Sequence, residues 1–271
     1  METALFVACW VVGPLAIWVC LRRAQSKRSN PEVAIPARLT TAVLVCTWVA
    51  SVFSSPVVDN AVGDLSGSPN LATFIASETL MVLCTLLMIT LVWWLIPDGH
   101  RHIIVTMLTI IGGMTFGSLG VLFSAGSGSP RYVAQSMALF KDDIESGRPL
   151  GAKALAYALV FFAYIGFTSV AASTCYAFMA HAVYRERPRA FAGFILAVAA
   201  GCCGLFYAIA RGCSVVVGYG HRTVTDLNDD VSLVIGQASM LALMVGLILP
   251  YVSRRAVRRP CRAASKPCCV E

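Results

Sequence analysis

Apolar residues run along this chain in seven long blocks separated by short polar breaks. The blocks cover roughly 4–21, 39–58, 71–96, 103–125, 152–183, 190–217 and 231–252. Each is long enough for a helix to cross the hydrocarbon core of a bilayer, which takes roughly 20 residues for about 30 Å. Backbone polar groups inside lipid must be satisfied within the protein, so such blocks fold as helices. The period-two alternation of a membrane barrel is absent. Pro56, Pro69, Pro97, Pro130, Pro149, Pro188 and Pro250 fall near block ends, where a helix can stop. The pattern predicts an all-α membrane protein, a seven-transmembrane-helix bundle over 1–252, followed by a tail over 253–271.

Between the fourth and fifth blocks lies "RYVAQSMALFKDDIESG". Val133, Met137, Phe140 and Ile144 recur there at helical spacing, with Lys141, Asp142, Asp143 and Glu145 elsewhere on the wheel. The spacing predicts a short amphipathic helix over 131–146, lying across the outer face.

Composition agrees with the membrane reading. Apolar residues make up 58% of the 271 and charged residues only 13%, with a mean hydropathy of +0.74. Soluble domains carry about 25% charged residues. Such a chain lacks the polar surface to cover a water-soluble core.

Charge then orients the helices. Fifteen of the 21 Lys and Arg residues fall on one side, in "RRAQSKRSNPEVAIPAR", "DGHRH", "YRERPR" and "SRRAVRRPCRAASKPCCVE". The positive-inside rule places that side in the cytoplasm, with the N-terminus outside and the tail inside. Glu2 precedes the first block while Arg22 and Arg23 follow it, the reverse of a cleavable signal peptide. Basic flanks against anionic headgroups account for the net charge of +7 without nucleic acid. The expected location is the plasma membrane.

Chemistry-bearing motifs are sparse. Most of the 11 cysteines lie inside the apolar blocks, where Cys acts as a small apolar residue. Cys261, Cys268 and Cys269 sit in the tail. His100 and His102 have a metal-ligand spacing, but in a very short turn with no fourth ligand. No GxSxG, HExxH, P-loop or GxGxxG is present. No enzyme activity, cofactor or metal is expected. Gly113, Gly117 and Gly120, and then Gly193, Gly201 and Gly204, fall at spacings that let membrane helices approach closely.

"NPEVAIPARL", "FSSPVVDNAVGDLSGSPNLA", "LAYALVFFAYIGF" and "GLFYAIARG" resemble an actinobacterial family of seven-helix membrane proteins. The family is labelled as transporters and is often encoded beside a helix-turn-helix regulator. The most specific parts are a Ser-Pro helix stop, an acidic loop and a Gly-x-Pro-Asn opening of the third helix. A Gly-Leu-x-Tyr segment with a following basic residue matches at Gly204, Leu205, Tyr207 and Arg211. The resemblance covers about 30 to 252 and implies a seven-helix fold and a transporter label. Longer members carry a cytoplasmic domain after the last helix, whereas here only 253–271 follow it.

One acid interrupts the third block. Glu78 stands eight residues past Asn70, about 12 Å along an inward-running helix. Arg211 lies about 9 Å before Val217 in the sixth block, with Tyr207 one turn below it. Gln237 lies about 9 Å past Val231 in the seventh. Depth alone thus gathers Glu78, Tyr207, Arg211 and Gln237 into one polar layer in the outer half. Intramembrane charges usually face the bundle interior and find partners. Three readings stay open: a transporter pocket where Glu78 binds a proton or cation and Arg211 an anionic group; a receptor-like sensor of a small-molecule or ion ligand acting through a cytoplasmic regulator; and a Glu78–Arg211 pair that only staples the bundle.

Overall fold

The computed structural model describes residues 2–26, 31–66, 71–125, 152–221 and 226–252. Their regular structure is helical throughout, in eight helices: α1 (Glu2–Ser26), α2 (Pro31–Phe53), α3 (Pro56–Ser66), α4 (Leu71–Leu95), α5 (Asp98–Ala125), α6 (Ala152–Val183), α7 (Pro188–His221) and α8 (Asp226–Val252). Six contain stretches long and apolar enough to cross a membrane: Ala4–Arg22, Ala34–Phe53, Phe74–Leu95, Asp98–Leu122, Leu155–Val183 and Pro188–Cys213. The chain is a multi-pass helical membrane protein. In α8 the apolar part is shorter, the 17 residues Val234–Pro250. The expected outer helix over 131–146 and the tail over 253–271 lie outside the described residues.

The second apolar block is the place where the helix boundaries depart most from expectation. One helix over 39–58 is replaced by two. Helix α2 starts earlier, with Pro31 at its first position, and ends at Phe53. Pro56 has no N–H and restricts Ser55 before it, so the helix cannot continue through. Pro56 then occupies the first position of α3, where a missing N–H is harmless. Helix α3 is too short to cross a membrane; it packs mainly on α4 and leaves Val57 and Leu65 exposed.

Six helices close a ring in the order α1, α2, α4, α6, α7, α8, with α8 returning to α1. Helix α5 sits outside this ring against α4 and α6, and only 11% of its spanning window is buried, against 61% for α4. Lipid tails are as apolar as leucine, so close packing and interhelical hydrogen bonds must hold such a bundle. Gly193 of α7 and Gly246 of α8 bring the two backbones close together. A Cβ added at Gly193 would stand 2.7 Å from the Gly246 carbonyl oxygen, and one at Gly246 would stand 2.8 Å from that of Gly193. Polar links join the same wall: the Ser239 hydroxyl donates to the Ala200 carbonyl at 2.7 Å, and the Thr85 and Tyr164 hydroxyls bond at 2.9 Å between α4 and α6.

The other glycine set behaves differently. Gly112 packs against Thr85, but Gly113, Gly117 and Gly120 have open space where a Cβ would be. Their spacing suits helix packing, yet α5 turns that face away from the ring.

The α4–α5 turn is sealed by Arg101. Its guanidinium pairs with Asp98, donates to the Ile96 carbonyl at 3.0 and 3.2 Å, and lies 4.4 Å from the centre of the Trp93 ring. No three His, Cys, Asp or Glu side chains gather among the described residues.

Candidate functional site

Glu78, Arg211 and Gln237 are all buried, at 7%, 8% and 2% exposure, and Tyr207 is half-buried. The expectation that they lie inside the bundle holds for each. They do not all meet, and the helix order gives the reason. Helices α7 and α8 are neighbours, whereas α4 packs mainly on α2, α3, α5 and α6. Equal depth fixes height in the bundle but not position around the ring.

Tyr207 and Gln237 do come together. Both line a central cavity of about 110 Å³, walled by α2, α4, α6, α7 and α8. Leu80, Leu83, Cys84 and Leu87 contribute from the middle of α4, and Gly201, Gly204 and Gly236 from α7 and α8. Thr168, Ser169 and Ser239 add hydroxyls, while most of the wall is apolar. The cavity therefore sits near the middle of α4, further along that helix than Glu78. Gln237 is held from α2, where the Ser51 hydroxyl donates to its Oε1 at 2.8 Å. Tyr207 packs over Gly236 and meets the Phe162 ring edge-on, with centroids 5.9 Å apart.

Glu78 lies outside the cavity lining, on the face of α4 that meets α6. Its neighbour there is Tyr157, a fully buried phenol close enough to interact with it. No hydrogen bond closes between them: both Glu78 carboxylate oxygens and the Tyr157 hydroxyl lack a partner among the described residues. The anticipated Glu78–Arg211 pair is not formed, and Arg211 makes its contacts elsewhere. A buried carboxylate with no donor is costly in a low-dielectric site. Protonated, the same group becomes a donor as well as an acceptor. This spot is thus suited to a proton or a small cation.

Tyr157 escaped sequence reasoning, although a signal existed. It stands five residues into α6, about 8 Å from the helix start and close to the depth of Glu78. Ser51, Thr168 and Ser169 escaped because a hydroxyl can bond to its own helix and vanish from a polarity count. Thr168 does so, donating to Tyr164 and Ile165 carbonyls at 2.9 and 3.0 Å.

Comparison of the chain with protein-family models, with curated proteins and with solved structures found no match.

Proposed function

We propose that this chain is a plasma-membrane transporter of a small solute, with the central cavity as its substrate site. It crosses the membrane seven times, with α3 outside and the N-terminus facing out, and its basic tail lies in the cytoplasm. The seventh crossing is α8. Its 17-residue apolar part spans about 26 Å, a mismatch that flanking residues and slight bilayer thinning absorb. Glu78, backed by Tyr157, binds the coupling proton or cation.

The observation that carries this reading is the cavity beside the middle of α4, lined from five helices. Transporter sites characteristically lie near the bilayer midplane, between helix groups that can rock around them. The likeness of the helix openings to a family labelled as transporters supports it. The staple reading loses its main support, because Glu78 and Arg211 do not pair.

Purified protein in proteoliposomes would be offered charged and uncharged small solutes, with and without a pH gradient. Solute uptake above that of empty liposomes, reduced in Gln237→Leu and uncoupled from the gradient in Glu78→Gln, is the expected result. Saturable binding with no flux, together with a regulator captured on the cytoplasmic face, would replace transport by sensing.

A further inference from the structure

The central cavity is one of two spaces that meet at the seam between α6 and α7. The second is a groove of about 470 Å³ on the outside of the same seam, in the half of the bundle that carries Glu78 and Arg211. Leu159, Phe162 and Gly166 of α6 line it, facing Ala208, Gly212 and Cys213 of α7. On both helices the groove residues alternate with cavity residues. Phe162 and Gly166 face the groove while Ile165 and Ser169 face the cavity; Ala208 faces the groove while Gly204 and Tyr207 face the cavity.

What separates the two spaces is thin. Phe162 lines the groove, Tyr207 lines the cavity, and their rings touch edge-to-face at 5.9 Å. Beside them the wall is built from small residues. A Cβ placed on Gly166 would reach Ala208 and Leu205 at an ordinary 3.8 Å, and one on Gly212 would reach Phe162 at 3.7 Å. Two aromatic rings can swing by rotamer changes, on the fast timescale of side-chain motion, without moving a helix.

The chemistry of both spaces points to one kind of ligand. None of the residues lining either one is charged. A charged ligand entering there would lose its hydration and gain no counter-charge. The cavity offers one strongly polar side chain that is nearly fully buried. Ser51 bonds to the Oε1 of the Gln237 amide, and the Gln237 side chain lines the cavity. The cavity's roughly 110 Å³ is below the roughly 150 Å³ apolar cavity that takes up benzene, which sets the ligand at or below the size of benzene.

We propose that the ligand of the central cavity is a small, uncharged, mostly apolar molecule with one hydrogen-bonding group, and that it enters sideways from the bilayer through the Phe162–Tyr207 wall. This rests on reading the cavity as a ligand site, and it adds both the ligand class and the route. Partitioning into lipid concentrates such a molecule beside the groove. Gln237 then takes its polar group, and the apolar walls take the rest.

The test uses the full chain in lipid nanodiscs with 2,2,2-trifluoroethanol as probe, followed by fluorine NMR, and empty nanodiscs as control. Charged trifluoroacetate, of similar size, is the comparison. Saturable binding of trifluoroethanol is expected, with affinity for trifluoroacetate at least about tenfold weaker. Gln237→Leu should weaken trifluoroethanol about tenfold and 1,1,1-trifluoropropane much less. Ala172→Leu, which fills the cavity, should abolish both and serves if Gln237→Leu does not fold.

The route is tested by Cys213→Trp, an exposed position in the groove, and by Gly212→Ala, which meets only ordinary contacts. Both should slow association and dissociation together, leaving affinity within about twofold. Phe162→Ala should speed both.

Absence of saturable binding by every probe would overturn the cavity as a ligand site. Binding with rates indifferent to all three seam variants would keep the site and overturn the sideways route. Equal binding of trifluoroacetate would overturn the ligand class.

Discussion

The sharpest consequence of the packing concerns two sets of glycines that look alike in sequence. Substituting Gly193 by Ala places a Cβ 2.7 Å from the Gly246 carbonyl oxygen and 2.8 Å from Pro250 Cδ. An ordinary contact needs roughly 0.7 Å more, and both obstacles belong to backbone or a proline ring. Helices α7 and α8 must therefore part. Overpacking of this kind costs typically 1–3 kcal/mol, set against about 0.5–1 kcal/mol gained by replacing a helical Gly with Ala. The net for Gly193→Ala is a loss of about 0–2.5 kcal/mol. Gly113→Ala meets nothing within 4 Å, so only the gain remains. The two variants should differ by roughly 1–3 kcal/mol in opposite directions about the parent.

A second substitution sharpens the point. Gly246→Ala meets the Gly193 carbonyl oxygen at 2.8 Å and the Ala197 nitrogen at 3.0 Å. Once the helices have parted for one methyl, the second should enter with less strain, so the double variant should cost less than the sum of the singles. Unfolding equilibria in mixed micelles or nanodiscs would measure all four proteins. Equal effects at Gly193 and Gly113 would refute the reasoning. A loss at Gly113 as large as at Gly193 would mean that the open face of α5 is packed against another helix in the membrane.

Other outcomes follow from single contacts. Glu78→Gln and Arg211→Gln should combine additively within about 0.5 kcal/mol, since the two side chains do not pair; a coupling above about 1 kcal/mol in a double-mutant cycle would restore the pair. Glu78→Gln and Tyr157→Phe should couple, by about 0.5 kcal/mol or more, because these groups face each other in a buried site; strict additivity would separate them. Ser51→Ala removes the hydrogen bond to the buried Gln237 Oε1 and should destabilise by about 1–3 kcal/mol, with Gln237→Leu in the same background recovering part of the loss. Impermeant thiol reagents applied to intact cells should label Ser127→Cys and spare Ser265→Cys on a cysteine-free background; the reverse pattern would invert the topology.

Much of this architecture was legible along the chain, because the bilayer reduces folding to a question of length and polarity. The block over 152–183 coincides with α6, and the ends of α4 and α5 fall close to their blocks. Lipid leaves an apolar stretch of that length no option but a helix. The stop at Pro56 is visible too, since a proline cannot donate the next helical bond, but not that a second helix, α3, starts at the same residue. Burial of Glu78, Arg211 and Gln237 was readable from their depth, because a polar group in hydrocarbon turns inward.

Depth is a single coordinate, and the rest needed the other two. Which helix stands beside which depends on side-chain fit summed over whole interfaces, such as the Gly193–Gly246 crossing that binds α7 to α8. That fit put α6 between α4 and α7, gave Glu78 Tyr157 as its neighbour, and denied it Arg211. It turned Gly113 and Gly117 outward although their spacing matches that of packed glycines. It also opened a cavity beside Tyr207 and Gln237 from residues that are individually unremarkable leucines, alanines and glycines. A void belongs to no residue, so it has no signature in sequence and exists only once the helices are assembled.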